Sequence, residues 1–147
     1  MKLHKSSYAV GLFDGEGCIH IARRKRRKGR LLYVLFLTMA NNKSYKALGL
    51  MKKLFGGSIQ RVTPKNKRIK PYWFWTISGN KANGMLLKIG SHFIIKKEEC
   101  DLALKFRDLD PRTKRIDVPK EVRRKMSKMY KEMKQLKVPL ELRGGNG

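Results

Sequence analysis

The chain is poor in acidic residues, and the few it has are unevenly placed. Of its 147 residues, 11 are Asp or Glu and 36 are Lys or Arg, so the formal net charge is +25. No acidic residue occurs between Glu16 and Glu98, and residues 18–97 contain 20 Lys or Arg. Charge that only keeps a protein in solution is usually of both signs. The imbalance predicts an anionic partner, with nucleic acid as the first candidate and an anionic membrane surface as the second.

Cysteine, histidine and long apolar runs are also scarce. Two cysteines, Cys18 and Cys100, and three scattered histidines form neither a disulfide framework nor a zinc site. We interpret both thiols as small buried residues in a reducing intracellular compartment, either the cytoplasm and nucleoid or an organelle. No apolar run approaches the roughly 20 residues of a spanning helix. The N-terminal stretch carries two acids and lacks a small-residue cleavage site, so we expect neither a signal peptide nor a membrane partner.

The chain contains a helix followed by a strand hairpin, and this pattern occurs twice. It predicts an α+β fold in the order αββαββα, with a four-stranded antiparallel saddle sheet and helices on one face. We assign residues 1–107 to this core and 108–147 to a linker and a C-terminal helical extension packed on it. The predicted elements are a helix from Ser6 or Ser7, strands 18–22 and 31–40, a helix from Asn41 or Asn42 to Phe55, strands 58–63 and 72–78, and helices 81–93, 95–107 and 120–136.

The clearest motif runs from Ala9 to Gly17 and reads Ala-Val-Gly-Leu-Phe-Asp-Gly-Glu-Gly. It resembles the signature of the LAGLIDADG homing endonucleases, and the surrounding pattern of helices and hairpins resembles that family over roughly residues 5–107. Ala9 and Val10 depart from the signature, and Glu16 stands where it usually has Asp. The resemblance implies an enzyme that uses a divalent metal to cut double-stranded DNA, leaving short 3′ overhangs.

The resemblance also implies the metal site. Glu16 is the expected ligand, the backbone carbonyl of Gly15 assists it, and Asp14 is mainly structural. The expected cofactor is Mg²⁺, and Mn²⁺ or Ca²⁺ can occupy the same site. Asp-Gly-Glu-Gly taken alone would also fit a plain turn.

Two further catalytic residues follow from the same resemblance. Asn41 is expected to place the attacking water, with Asn42 as its competitor and helix capping as the alternative role. Lys96, or next Lys97, is expected to stabilise charge on the phosphate or to polarise the water. The alternative for Lys96 is a solvated lysine on a helix.

The motif occurs once, so the resemblance implies that a second copy of the chain completes a homodimer on a long pseudo-palindromic DNA site. Gly11 and Gly15 are four residues apart on one helix face, where small residues let two backbones approach closely. Two-fold pairing at this helix would also bring two copies of Glu16 together in a region with few other acids. The expected interface residues are Ala9, Gly11, Leu12 and Gly15.

Strand alternation separates core residues from residues that face DNA. If Ile19 and Ile21 pack against the helices, their alternate neighbours point the other way, and the same rule turns Thr38 outward. Trp73 and Trp75 share a face, and the sequence leaves open which one. The expected DNA contacts lie on these strands and on two basic turns, and they are His20, Arg24, Arg26, Lys28, Arg30, Thr38, Gln60, Lys65, Lys67 and Arg68.

Other functions compete with DNA cleavage. The same scaffold serves non-cleaving DNA- or RNA-binding proteins, such as maturases and regulators. A basic RNA-binding protein of another class would share the charge, but the sequence has no segment typical of the common RNA-binding modules. Binding without Mg²⁺-dependent cutting would favour the non-cleaving class.

Overall fold

The computed structural model describes residues 4–41, 43–109 and 118–143. Short 3₁₀ turns cover Arg27–Gly29, Gly90–His92 and Leu140–Leu142. The main elements are α1 (Lys5–Glu16), β1 (Gly17–Lys25), β2 (Leu31–Asn41), α2 (Tyr45–Phe55), β3 (Ser58–Val62), β4 (Tyr72–Ser78), α3 (Gly79–Ile89), α4 (Lys97–Leu109) and α5 (Lys120–Leu136).

The four strands form one antiparallel sheet in the order β1-β2-β4-β3, which confirms the predicted α+β fold. The buried face follows the alternation of apolar residues: Ile19 pairs with Leu37, and Met39 pairs with Trp75. Trp75 and its neighbour Trp73 therefore lie on the helix-covered face, which answers the question that the sequence left open. The fully or nearly buried strand residues are Ile19, Ile21, Tyr33, Leu35, Leu37, Met39, Trp75 and Ile77.

All five helices contribute to the core beneath this face. Phe13 of α1 is completely buried and packs edge-on against Trp75, with ring centroids 6.3 Å apart. The Phe13 ring also packs against the ring of Phe93, with centroids 5.6 Å apart, so aromatic packing fixes α1 on the sheet. Met126 and Met133 of α5 are buried in the same core. None of the described helices is long and apolar enough to cross a membrane.

Several element boundaries differ from those predicted, among them both ends of α3, which spans Gly79–Ile89 instead of 81–93. β1 continues to Lys25 because its charged residues still pair with β2, and backbone hydrogen bonds do not depend on side-chain polarity. α2 begins at Tyr45 and α4 at Lys97, each later than predicted. Asn42 and most of the predicted linker, residues 110–117, lie outside the described residues.

Candidate active site and nucleic-acid interface

The C-terminal end of α1 is tied to the segment that precedes α4. The buried carboxylate of Asp14 accepts hydrogen bonds from the backbone N–H groups of Ile94, Ile95 and Lys96, at 3.0, 3.2 and 2.9 Å. The Lys96 ammonium donates in return to the backbone carbonyl of Asp14, at 2.7 Å. These bonds join residues about eighty positions apart and hold Lys96 at the end of the motif helix.

The Asp14 carboxylate is held ionised. Burial raises the pKa of Asp14, but the hydrogen bonds from Ile94, Lys96 and Ile95 and the Lys96 charge lower it by more. The net result is a pKa below the ordinary Asp value. Because the folded-state pKa is the lower one, Asp14 stabilises the fold above about pH 4, and this contribution is lost as the pH falls through the folded pKa.

We expect Asp14→Asn to destabilise the protein by roughly 2–4 kcal/mol at neutral pH. The amide removes the charge and turns an N–H group toward backbone N–H donors. Urea unfolding at one fixed protein concentration measures the loss, which should shrink in strong acid, where wild-type Asp14 is protonated. Asp101→Asn is the matched control, because Asp101 is exposed and faces Lys97 at 3.9 Å, so the change should alter stability by about 0.5 kcal/mol or less. Equal losses in both variants would contradict the proposed role of Asp14.

Glu16 is the last residue of α1 and is exposed. β1 begins at the next residue, Gly17, without a connecting loop. A Cβ at position 17 would overlap the ring and carbonyl of Phe13, so glycine permits the close turn from helix to strand. The chain path therefore places the Glu16 carboxylate at the junction of helix and sheet, two residues from the carbonyl that Lys96 contacts.

The described residues include no cluster of three His, Cys, Asp or Glu side chains that could enclose a metal ion. Glu16 offers carboxylate oxygens and Gly15 a backbone carbonyl. Both are hard oxygen donors of the kind that Mg²⁺ and Ca²⁺ prefer, and Mg²⁺ usually keeps several of its waters. The donor types at the end of α1 thus fit a divalent cation.

Asn41 closes a turn. It is the last residue of β2, and its side-chain oxygen accepts hydrogen bonds from the backbone N–H groups of Lys43 and Ser44, at 2.8 and 2.9 Å. These bonds form a turn before α2, whose N-cap is Ser44, so they differ from the helix cap that the sequence left as the alternative. The Asn41 amide nitrogen takes no part in the turn. Because β2 residue Met39 pairs with Gly17, Asn41 lies at the same end of the sheet as Glu16.

One cluster beside Glu16 was missed by the sequence interpretation. The Cys18 sulfur lies 3.9 Å from His20 Nδ1 and 3.1 Å from the Lys137 ammonium. The His20 hydrogen bond, opposed by burial and helped by Lys137, lowers the pKa of the Cys18 thiol to about 7. Cys18 is therefore not the fully buried thiol we expected, whereas Cys100 is buried and its pKa is raised to about 11, mainly by burial. Lys137 follows α5, in the C-terminal extension, which the sequence interpretation did not connect with this site.

The sheet face opposite the helices, here called the open face, carries three of the predicted DNA-contacting residues as exposed or half-exposed side chains: His20, Arg24 and Gln60. Thr38 is on the same face but is only 6% exposed, which contradicts its assignment as an accessible contact. It lies on a central strand between its cross-strand partners Cys18 and Thr76. Thr38 is buried because residues of the strands on both sides cover its side chain.

The two basic turns lie at opposite ends of the sheet, because β4 runs antiparallel to β2. The turn after β3 is therefore at the Glu16 end, and the β1–β2 turn is at the far end. Lys28 and Gly29 adopt positive φ, and Arg26 bonds to Arg30 across the hairpin at 2.7 Å. All six predicted contacts in these turns are exposed, and they are Arg26, Lys28, Arg30, Lys65, Lys67 and Arg68.

Three of the four predicted interface residues lie on or beside the surface of α1 that faces away from the core, and Ala9 does not. Ala9 is completely buried beside Phe13 in the chain's own core, so its assignment to a dimer interface is corrected. The helix covers the sheet with positions 9 and 13, which turns Tyr8, Gly11 and Gly15 outward. We call these three residues the exposed stripe of α1. Leu12 beside them is partly buried.

The family model for LAGLIDADG endonucleases matches residues 9–104. Among curated proteins, none matches this chain in sequence.

Solved structures share the fold at low sequence identity. A crystal structure of the homing endonuclease I-CvuI in complex with its target and calcium has a TM-score of 0.74 and 17% identity, covering 92% of this chain and 84% of that one. The homing endonuclease I-TnaI gives 0.72 and 19%, covering 98% and 100%. I-SmaMI bound to an uncleaved DNA target with calcium ions gives 0.60 and 21%, covering 96% of this chain but 48% of that one. This chain therefore corresponds to about half of I-SmaMI.

Proposed function

The chain belongs to the LAGLIDADG endonuclease family, and we propose that it is an intron- or intein-associated homing endonuclease that hydrolyses both strands of a DNA duplex. The observation that carries the proposal is the position of Glu16. Its exposed carboxylate stands where α1 meets the sheet, at the inner edge of a surface whose turns and open face are basic. A carboxylate in such a surface repels phosphate unless a cation lies between them, and metal-assisted cleavage requires that arrangement.

Glu16 is the proposed metal ligand, and the Gly15 carbonyl is the second. Mg²⁺ is the proposed cofactor, and Mn²⁺ or Ca²⁺ can occupy the same site. When bound, the cation supplies Lewis-acid stabilisation of charge on the phosphate. The calcium present with I-CvuI and I-SmaMI supports a divalent cation for this fold.

Lys96 is proposed to stabilise negative charge on the reacting phosphate. Its ammonium already donates to the Asp14 carbonyl at 2.7 Å, which fixes the group close to Glu16 and leaves two of its three protons for other acceptors. Asn41 is proposed to place the attacking water through its amide nitrogen, because its oxygen is engaged in the turn to Ser44.

The proposed assembly is a homodimer in which the exposed stripes of α1 from two chains meet. None of the described residues lies within 4 Å of where a Cβ would stand on Gly11 or Gly15, so a partner backbone can approach closely. Ile94 and Ile95 are 86% and 69% exposed and adjoin the end of α1, where they add apolar surface for a partner to cover. The match to about half of I-SmaMI supports a unit that works in pairs. A two-fold pair requires a pseudo-palindromic DNA site.

DNA is proposed to lie along the open face and the two basic turns. An antiparallel ribbon pair fits the major groove, where side chains read base edges and basic residues contact phosphates. The two free cysteines are consistent with a reducing intracellular compartment.

A cleavage assay tests the proposal. The protein is incubated with plasmids that carry candidate intron-insertion sites, with Mg²⁺, with Ca²⁺ or with a chelator. We expect Mg²⁺-dependent linear products with short 3′ overhangs, and no products with the chelator. Sequence-specific binding to the same plasmids without cutting in Mg²⁺ or Mn²⁺ would contradict the proposed activity and favour a regulator.

A further inference from the structure

One aromatic ring on the open face contacts two of the candidate DNA-reading side chains. Phe36 of β2 is the cross-strand partner of His20 on β1. The two rings are stacked, with centroids 5.6 Å apart and planes at 12°. The guanidinium carbon of Arg24 lies 4.9 Å from the centre of the same Phe36 ring.

The Arg24 contact requires the side chain to fold back along the strand. Positions four apart on a strand are about 13 Å apart, yet Arg24 and His20 reach the same ring. The Arg24 guanidinium is therefore drawn toward His20 instead of extending freely from the hairpin. A long side chain held in this way loses less conformational entropy on binding.

Contact with an aromatic ring does not use up the hydrogen bonds of the guanidinium. A cation–π contact engages the face of the group, whereas its N–H donors point outward in its plane. Those donors can form the bidentate pair with O6 and N7 of guanine that arginine makes in the major groove. The Phe36 ring thus holds Arg24 in place without competing with a base.

We propose that Phe36 is a specificity-determining positioning residue, whose ring holds Arg24, beside His20, so that Arg24 reads a guanine in each half of the DNA site. The inference rests on the proposed function, because it assumes that DNA lies on the open face. The Phe36 side chain has no hydrogen-bonding group, so it acts through Arg24.

Selection of preferred sites from a randomised DNA library tests this. Arg24→Ala first identifies the base-pair position that Arg24 reads. We expect Phe36→Leu to lower the guanine preference at that same position by about tenfold, with affinity for unrelated DNA within about twofold of wild type. Phe36→Tyr keeps the ring and should retain the preference. In the double variant Arg24→Ala, Phe36→Leu, the loss of guanine preference should be no greater than in Arg24→Ala alone.

Phe74→Leu is the matched control. Phe74 is also a half-exposed phenylalanine on the open face, but it lies across from Gln60 on β3 instead of beside Arg24. Its loss should leave the Arg24 position unchanged. The inference fails if Phe36→Leu leaves the preference intact, if Phe36→Tyr loses it, or if the change falls at positions that Arg24→Ala does not affect. A wild-type protein that selects no sequence at all would instead refute the proposed function.

Discussion

Replacing Glu16 with Gln is expected to abolish Mg²⁺-dependent cutting and to leave DNA binding intact. Gln has the same shape but no charge, so it cannot neutralise a divalent cation, and the cutting rate should fall on the order of a thousandfold or more. Without metal, affinity for DNA should stay equal or rise slightly, because the change removes a negative charge from the surface proposed to face phosphate. Opposite directions for cutting and binding distinguish a metal ligand from a residue that supports the fold.

The measurement is single-turnover cleavage in Mg²⁺ with protein in excess of DNA, together with a binding titration in a chelator, where no cation offsets the Glu16 charge. Glu121→Gln makes the same chemical change at an exposed residue in the first turn of α5 and should cut at the wild-type rate. Cutting that survives Glu16→Gln would refute the proposed site. Loss of binding together with cutting would show that Glu16 supports the DNA-bound structure instead.

Local sequence patterns were sufficient to predict the four strands and to single out Glu16. The alternation around Ile19 and Ile21 identified the buried face of β1, because a period of two has only one interpretation when one face is apolar. The helix face was harder to predict. Gly11, Gly15 and Ala9 are all small, and only the sheet against which α1 packs decides that Ala9 is covered and Gly11 is not.

Contacts between distant parts of the chain could not be predicted from local patterns. Asp14 is held by backbone groups 80 to 82 residues away, and Lys137 reaches Cys18 across 119 residues. Backbone N–H groups are present at every non-proline residue, so the sequence around Ile94 carries no mark of this interaction. Thr38 was misjudged for a related reason. Alternation predicts the face on which a side chain lies, but strand order decides whether neighbouring strands cover it.

Replacing Gly11 with Leu is expected to separate the proposed dimer into folded monomers. In the part of the chain that the structure describes, nothing lies near a Cβ at position 11. Leu favours helix over Gly by roughly 0.5–1 kcal/mol, so the single chain should fold at least as well as wild type. Both chains of a two-fold pair carry the substitution, so two extra side chains must fit into the same interface. Overpacking of about 1–3 kcal/mol per chain would weaken association by about thirtyfold or more.

Sedimentation equilibrium and thermal unfolding of the same samples measure both effects. Gly84→Leu is the control, because Gly84 is an exposed glycine of α3 with equally open surroundings, away from the exposed stripe of α1. Gly84→Leu should gain the same stability from helix propensity and should remain dimeric. If Gly11→Leu stays dimeric, the chains do not meet at α1. If it becomes a monomer and double-strand cutting disappears with Glu16 intact, the cutting unit requires two copies of α1, because one folded chain supplies a single Glu16.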